Sequence, residues 1–175
     1  MSTTDAWLAL TAEETLEPDL PICDPHHHFW DTSIDSSATF RTEQVAPRYL
    51  LDELLADINS GHNIRSTVFI ECASMYRAKG PHEMKPVGET EFVNGIAAMR
   101  ASGQYGDTLV AAAIVGFADL CLGAAVENVL NAHIAAGGGR FRGIRHAGGW
   151  NASDRIRNSH TNPGEGMFAN AAFRA

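Results

Sequence analysis

The segment Asp24-Pro25-His26-His27-His28-Phe29-Trp30-Asp31 holds the densest set of chemically capable side chains in the 175-residue sequence. It follows Leu20-Pro21-Ile22-Cys23-Asp24, a short apolar run that reads as a strand. Side chains alternate along extended backbone, so His26 and His28 should point one way and His27 the other. Two imidazoles on one face at the C-terminal end of a strand can share one divalent metal. In parallel α/β folds that edge is also where active sites lie. Asp24, two residues before His26, is placed to orient an imidazole. The competing reading is a structural histidine cluster; the strand before the motif and Asp24 beside it weigh against that.

Five later positions add to the set. Glu71 interrupts an apolar strand near its end, and a carboxylate turned to the helix layer would be costly. It is therefore expected at the mouth of the sheet, as a substrate contact or as the partner of an arginine. Arg145 shares a strand face with Gly143, and its planar guanidinium suits a substrate carboxylate or lactone oxygen. Tyr76 and Arg77 lie on the loop after the second strand, where substrate contacts accumulate. His146 follows Arg145 and would point the other way on a regular strand. Gly137-Gly138-Gly139-Arg140 precedes a strand, so it reads as a helix stop rather than a phosphate nest. No G-x-S-x-G elbow occurs.

The elements that must position these residues follow a repeating order. Apolar residues from Tyr49 to Ile58 recur at helical spacing and end before Gly61. Residues 64–72 (IRSTVFIEC) form a nearly continuous β-branched run, which predicts a strand covered on both faces. Helical spacing returns from Phe92 to Met99, a strand at 108–115, a helix from Leu120 to Ile134, and a short strand at 141–145. A polar loop is predicted over residues 32–42, and a further helix begins at Met167. Alternating β and α units imply a parallel sheet with helices outside. Periodicity alone leaves an open doubly wound sheet and a closed barrel both standing.

Composition narrows the function classes. Thirteen basic residues against 21 acidic ones give a net charge of −8, and no basic stripe suits a nucleic-acid backbone. Residues 1–19 are an acidic lead-in without a basic n-region, unlike a secretory or transit signal. The most apolar stretch, residues 109–118, is far below the ~20 residues of a membrane span. Three scattered cysteines, Cys23, Cys72 and Cys121, read as buried reduced thiols in a cytoplasmic protein.

Residues 22–31 (ICDPHHHFWD) closely resemble the first-strand signature of the amidohydrolase superfamily, and more narrowly the amidohydrolase-related, lactonase-like group. Residues 68–72, 86–93 and 142–146 (RGIRH) agree with that group. The resemblance implies a (β/α)8 barrel, of which residues 20–175 would supply about the first four β/α units. It implies His26 and His28 as ligands of one divalent metal, zinc or manganese, held loosely in some members. It implies a small-molecule substrate, a lactone or related cyclic ester opened by an activated water. The general base would be a carboxylate on a later strand, so no catalytic residue is assigned within these residues. Arg145-His146 stands where two-metal members carry a bridging lysine, which points to a one-metal or metal-free subtype. Exposed sheet edges would favour a homo-oligomer. The alternatives are a decarboxylating lyase built on the same metal site, or an inactive truncated fragment.

Overall fold

The computed structural model describes residues 6, 7, 9–32 and 47–175. Four strands form one parallel sheet: β1 (Pro21–His27), β4 (Asn63–Ile70), β5 (Leu109–Gly116) and β6 (Phe141–Ile144), hydrogen-bonded in the order β1-β4-β5-β6. Two short strands, β2 (Trp30–Asp31) and β3 (Arg48–Tyr49), pair antiparallel at the ends of the segment 33–46, with Trp30 stacked on Tyr49. The predicted loop at 32–42 falls almost wholly outside the described residues. Helices α1 (Leu51–Ile58), α2 (Val87–Ala101) and α3 (Val126–Ala136) follow β3, β4 and β5 respectively.

Each new strand of the main sheet is added beside the previous one, with no reversal of order. The sheet is thus an α/β parallel sheet wound in one direction over its four strands. Leu51, Leu54 and Ile58 of α1 share one core with Val93, Ile96 and Ala97 of α2 and with Phe29, Phe69 and Ile114 of the sheet side. Val87 of α2 packs with Val129 of α3 in a second cluster. The three helices thus lie against the same face.

The opposite face corrects the expectation of strands covered on both sides. Thr67 and Phe69 are buried under the helices, whereas Val68, Ile70 and Val115 stay partly exposed. No described element closes over them, so their apolar character alone did not specify burial. Two other expectations also change. Beyond Met167 there is only a 3-10 turn, Met167–Ala169, ending at an extended Asn170. Of the cysteines only Cys72 is buried; Cys23 is exposed and Cys121 intermediate.

Edge strand β1 tolerates Pro21 and Pro25 because an edge need not donate every N–H. Its pairing with β4 slips between Asp24 and His27, where three residues of β1 span two of β4. This bulge re-aims the side chains around it. Asp24 therefore accepts the backbone N–H of His26 at 3.0 Å rather than steadying a ring, a correction to its expected role. His27 turns into the helix layer against Phe29 and Phe69. There its Nε2 shares a 2.9 Å hydrogen bond with Thr67 Oγ1, which also accepts the N–H of Ala111 at 2.9 Å. Ala111 has a left-handed φ of 47°, an uncommon conformation for alanine, and its N–H needs this partner outside the ladder.

Burial lowers the His27 pKa from 6.5 to about 4, against the opposing pull of Asp24. A folded value below the unfolded one means protonation favours the unfolded chain. Stability is then lost as pH falls from about 6.5 toward 4. Thr67→Val keeps the shape but strands two buried polar groups, at about 1–3 kcal/mol each. Chemical denaturation at pH 7 should show a loss of about 2–6 kcal/mol; a change under about 0.5 kcal/mol would mean the hydroxyl is not what holds His27 and Ala111.

Candidate functional site

The C-terminal edge of the sheet brings two groups of polar side chains together, and the end of β4 organises both. The first group is the imidazole pair. His26 Nε2 and His28 Nε2 lie 3.2 Å apart with the rings nearly perpendicular, at 84°. Two nitrogens bound to one tetrahedral zinc at ~2.0–2.1 Å would stand roughly 3.3–3.4 Å apart. His28 Nδ1 sits 2.7 Å from the carbonyl oxygen of Ile70. A carbonyl only accepts, so Nδ1 carries the hydrogen and the neutral ring keeps its lone pair on Nε2, facing His26. Burial, together with the charges of His26 and Arg145, holds His28 below its ordinary pKa despite that bond and the nearby Glu71. The ring is thereby kept in the neutral form that metals require.

The second group is centred on Glu71, the residue after β4. Its N–H bonds Val115 O at 2.8 Å, and the Arg145 N–H bonds Gly116 O at 2.9 Å. Glu71 and Arg145 therefore flank the end of β5 and meet across it. Arg145 Nε donates to Glu71 Oε1 at 2.7 Å, and its Nη2 donates to the Glu71 carbonyl at 2.6 Å. His160 Nε2 approaches the other carboxylate oxygen, Oε2, at 3.1 Å. The Glu71 side chain is 0% exposed while that of Arg145 is 34% exposed. Burial pushes the Glu71 pKa up, but the hydrogen bonds and charges of His160 and Arg145 outweigh it and leave the carboxyl below its ordinary value. The carboxylate expected at the strand end is present and paired with an arginine.

The loop after Glu71 is strained and tightly held. Ala73 and Met75 both take left-handed conformations, at φ 60° and 54°, which cost non-glycine residues energy. Glu89, in the first turn of α2, reaches back so that Oε1 accepts the N–H groups of Cys72 and Ser74 at 3.0 and 2.8 Å. Gly88 lets the loop lie on the helix start: a Cβ there would meet Met75 O and Arg77 N at 2.7 Å. Glu89 Oε2 is buried without a hydrogen-bond partner. Burial first, and the nearby Glu71 charge, push the Glu89 pKa to about 8 against the two backbone donors.

Beneath this loop lies a cavity of about 400 Å³ whose wall includes Ala73, Tyr76, Phe117, His146, His160 and Met167. Of the residues singled out from the sequence, Tyr76 and His146 line it. Burial lowers the pKa of His146, whose Nδ1 accepts the N–H of Leu120 at 3.2 Å. Glu71 and Arg145 connect to the cavity through His160. Arg77 does not line it; its guanidinium makes a two-pronged ion pair with Glu91 on the surface. His160 and Glu89 were not among the residues singled out. His160 belongs to a polar loop with no recurrent spacing, and Glu89 has the usual look of an acid in a first helical turn.

No family model, no curated protein and no solved structure matches the chain. Among the described residues no set of three or more His, Cys, Asp or Glu side chains is gathered for a metal, and no helix is long and apolar enough to cross a membrane.

Glu89 gives the site a pH dependence of definite sign. Its folded pKa of about 8 exceeds the ordinary 4.5, so its contribution is complete below 4.5 and lost as pH rises through 8. Glu89→Gln keeps an acceptor for Cys72 and Ser74 and cannot ionise. Between pH 5 and 8 the wild type should lose stability relative to this variant, on the order of 1 kcal/mol per pH unit. Parallel stability curves across that range would contradict a neutral Glu89.

Proposed function

We propose that this chain is the N-terminal part of a metal-dependent hydrolase of (β/α)8 type, acting on a lactone or related cyclic ester. The observation that carries the reading is the His26–His28 pair, with Nε2 atoms 3.2 Å apart and His28 locked by the Ile70 carbonyl. Three further features support it. The pair stands at the C-terminal edge of a parallel sheet, the edge that carries active sites in such folds. The strand order runs sequentially, as in a barrel. A cavity of small-molecule size lies at the same edge, within the roughly 300–1,000 Å³ common for ligand sites.

His26 and His28 would hold one divalent ion, zinc or manganese, through Nε2. Such an ion supplies polarisation of a carbonyl and a bound water with a pKa near about 7. The chain's own residues set up that chemistry. Ile70 O fixes the His28 tautomer, and the β1 bulge brings His26 opposite it. Glu71 and Arg145, close enough to His28 to act on its charge, fix the polarity of the site. His27 is occupied with Thr67 and contributes packing rather than a ligand.

Metal content and affinity test this. Wild type should bind one equivalent of zinc or cobalt, and His26→Ala or His28→Ala should each weaken binding by about 10-fold or more. His27→Ala, measured on its folded fraction, should keep the stoichiometry. Loss of metal in His27→Ala with retention in the other two would overturn the assignment of ligands, and absence of binding in wild type would overturn the metal reading.

A further inference from the structure

We propose that the cavity at the sheet edge is a subsite for an uncharged carbonyl group, whose oxygen accepts hydrogen bonds from His146 Nε2–H and Tyr76 O–H. The inference rests on the hydrolytic reading above and deepens it: the cavity takes the cyclic ester and not the hydroxy acid that ring opening gives. Both donors belong to residues of the cavity wall.

His146 is built as a donor. Its side chain is 6% exposed and makes ring contacts with Phe117 and Phe173. Nδ1 accepts the backbone N–H of Leu120 at 3.2 Å, so its lone pair is committed there and the ring hydrogen sits on Nε2. Asp119 Oδ1 stands 3.9 Å from Nδ1, beyond hydrogen-bond range, and accepts the Cys121 N–H at 2.8 Å instead. Burial, helped by the charge of His160, holds the imidazole below its ordinary pKa against the pull of Asp119 and Glu71. A neutral imidazole capped at one nitrogen polarises a carbonyl through the other without giving up its proton. Tyr76 is the second donor: burial first, then the charges of Glu89 and Glu71, push its pKa up, so the phenol keeps its hydrogen. Among the described residues neither His146 Nε2–H nor the Tyr76 hydroxyl has an acceptor. A few such polar groups on an otherwise apolar wall are what orients a small ligand.

The charges around the cavity select the form of the ligand. Asp119 and Glu83 stand in the wall, and Lys85 balances one of them. His146 feels the negative charge of both Asp119 and Glu71. A carboxylate brought to Nε2 would meet that field, whereas an uncharged carbonyl oxygen asks only for the two donors. The intact ester therefore fits, and the anion left after ring opening is driven out.

The probes are dihydrocarbostyril, the lactam analogue of dihydrocoumarin, and melilotate, the ring-opened acid. Each is titrated at neutral pH into the full chain without added metal, so that no contact between carboxylate and metal competes. The lactam should bind about 10-fold more tightly than the acid, or better. His146→Phe should weaken lactam binding by roughly 5–100-fold and Tyr76→Phe by about 3–10-fold. His146→Asn keeps an acceptor for Leu120 in its Oδ1, but its amide stops short of the place of Nε2, so it should lose as much affinity as His146→Phe. The infrared carbonyl stretch of isotope-labelled lactam should fall on binding to wild type. At saturating ligand it should return toward the free value in both His146 variants, which loss of a merely structural ring would not cause. Wild-type affinity in the two His146 variants, or a carbonyl stretch unchanged in them, overturns the inference. Wild type that does not bind the lactam, or binds the acid equally well, overturns it too. Cobalt affinity at His26 and His28 should be unchanged in all three variants. Lactam binding in a wild type that takes up no cobalt would remove the metal reading and leave the carbonyl subsite standing.

Discussion

A carboxylate with no exposed surface must be fully satisfied or it will not stay ionised, and Glu71 meets that demand by recruiting partners from three parts of the chain. Its N–H ties β4 to Val115 of β5, its carbonyl and Oε1 take Arg145 from the end of β6, and Oε2 takes His160 from the loop beyond. Removing one partner of a buried ion pair typically costs about 3–5 kcal/mol, because the charge left behind is unsolvated. The ends of β4, β5 and β6 and the loop carrying His160 are therefore tied to one another through a single residue, by its main chain and its carboxylate together. The neighbouring carbonyl, Ile70 O, fixes His28. One turn of backbone thus serves both the imidazole pair and the cavity.

The surrounding features are consequences of crowding charge into that space. Glu89 lies close enough to Glu71 to feel its charge, and with burial this drives Glu89 toward the neutral form. Tyr76 and Cys72 are likewise pushed up, by burial first and then by the two carboxylates. Left-handed Ala73 and Met75 let the loop turn sharply enough for Glu89 to cap two of its N–H groups. Backbone strain of this kind persists only where surrounding contacts over-determine it. Farther out, His133 links the helix layer to the sheet: Nδ1 accepts from Thr90 Oγ1 at 2.8 Å and Nε2–H donates to Phe117 O at 2.9 Å.

The parts legible in the sequence are those that local periodicity controls. Alternation along an extended strand places His27 opposite His26 and His28, and that holds even across the bulge. A charged residue interrupting an apolar strand marks Glu71; Arg145, read as a substrate contact, gives its guanidinium to Glu71 instead. The strand and helix order follows from spacing and glycine stops, with ends shifted by a few residues, most at α3, which begins at Val126 after a 3-10 stretch over Leu120–Ala125. What spacing cannot convey is long-range: His160 meets Glu71 across 89 positions, and nothing near His160 announces it. The bulge that takes Asp24 away from the rings depends on pairing with β4. Apolar content does not distinguish a strand face covered by helices from one left partly open, as Val68 and Val115 show.

A double-mutant cycle on Glu71→Gln and Arg145→Met, read by equilibrium denaturation, tests most directly whether Glu71 is the hub. Each single change should be costly, since each leaves the other group facing a neutral partner across the end of β5. The double variant should be less destabilised than the sum of the two, with a coupling of about 1–3 kcal/mol. Additivity within about 0.5 kcal/mol would contradict it, and would mean that the strand ends and the His160 loop are held by something other than this carboxylate.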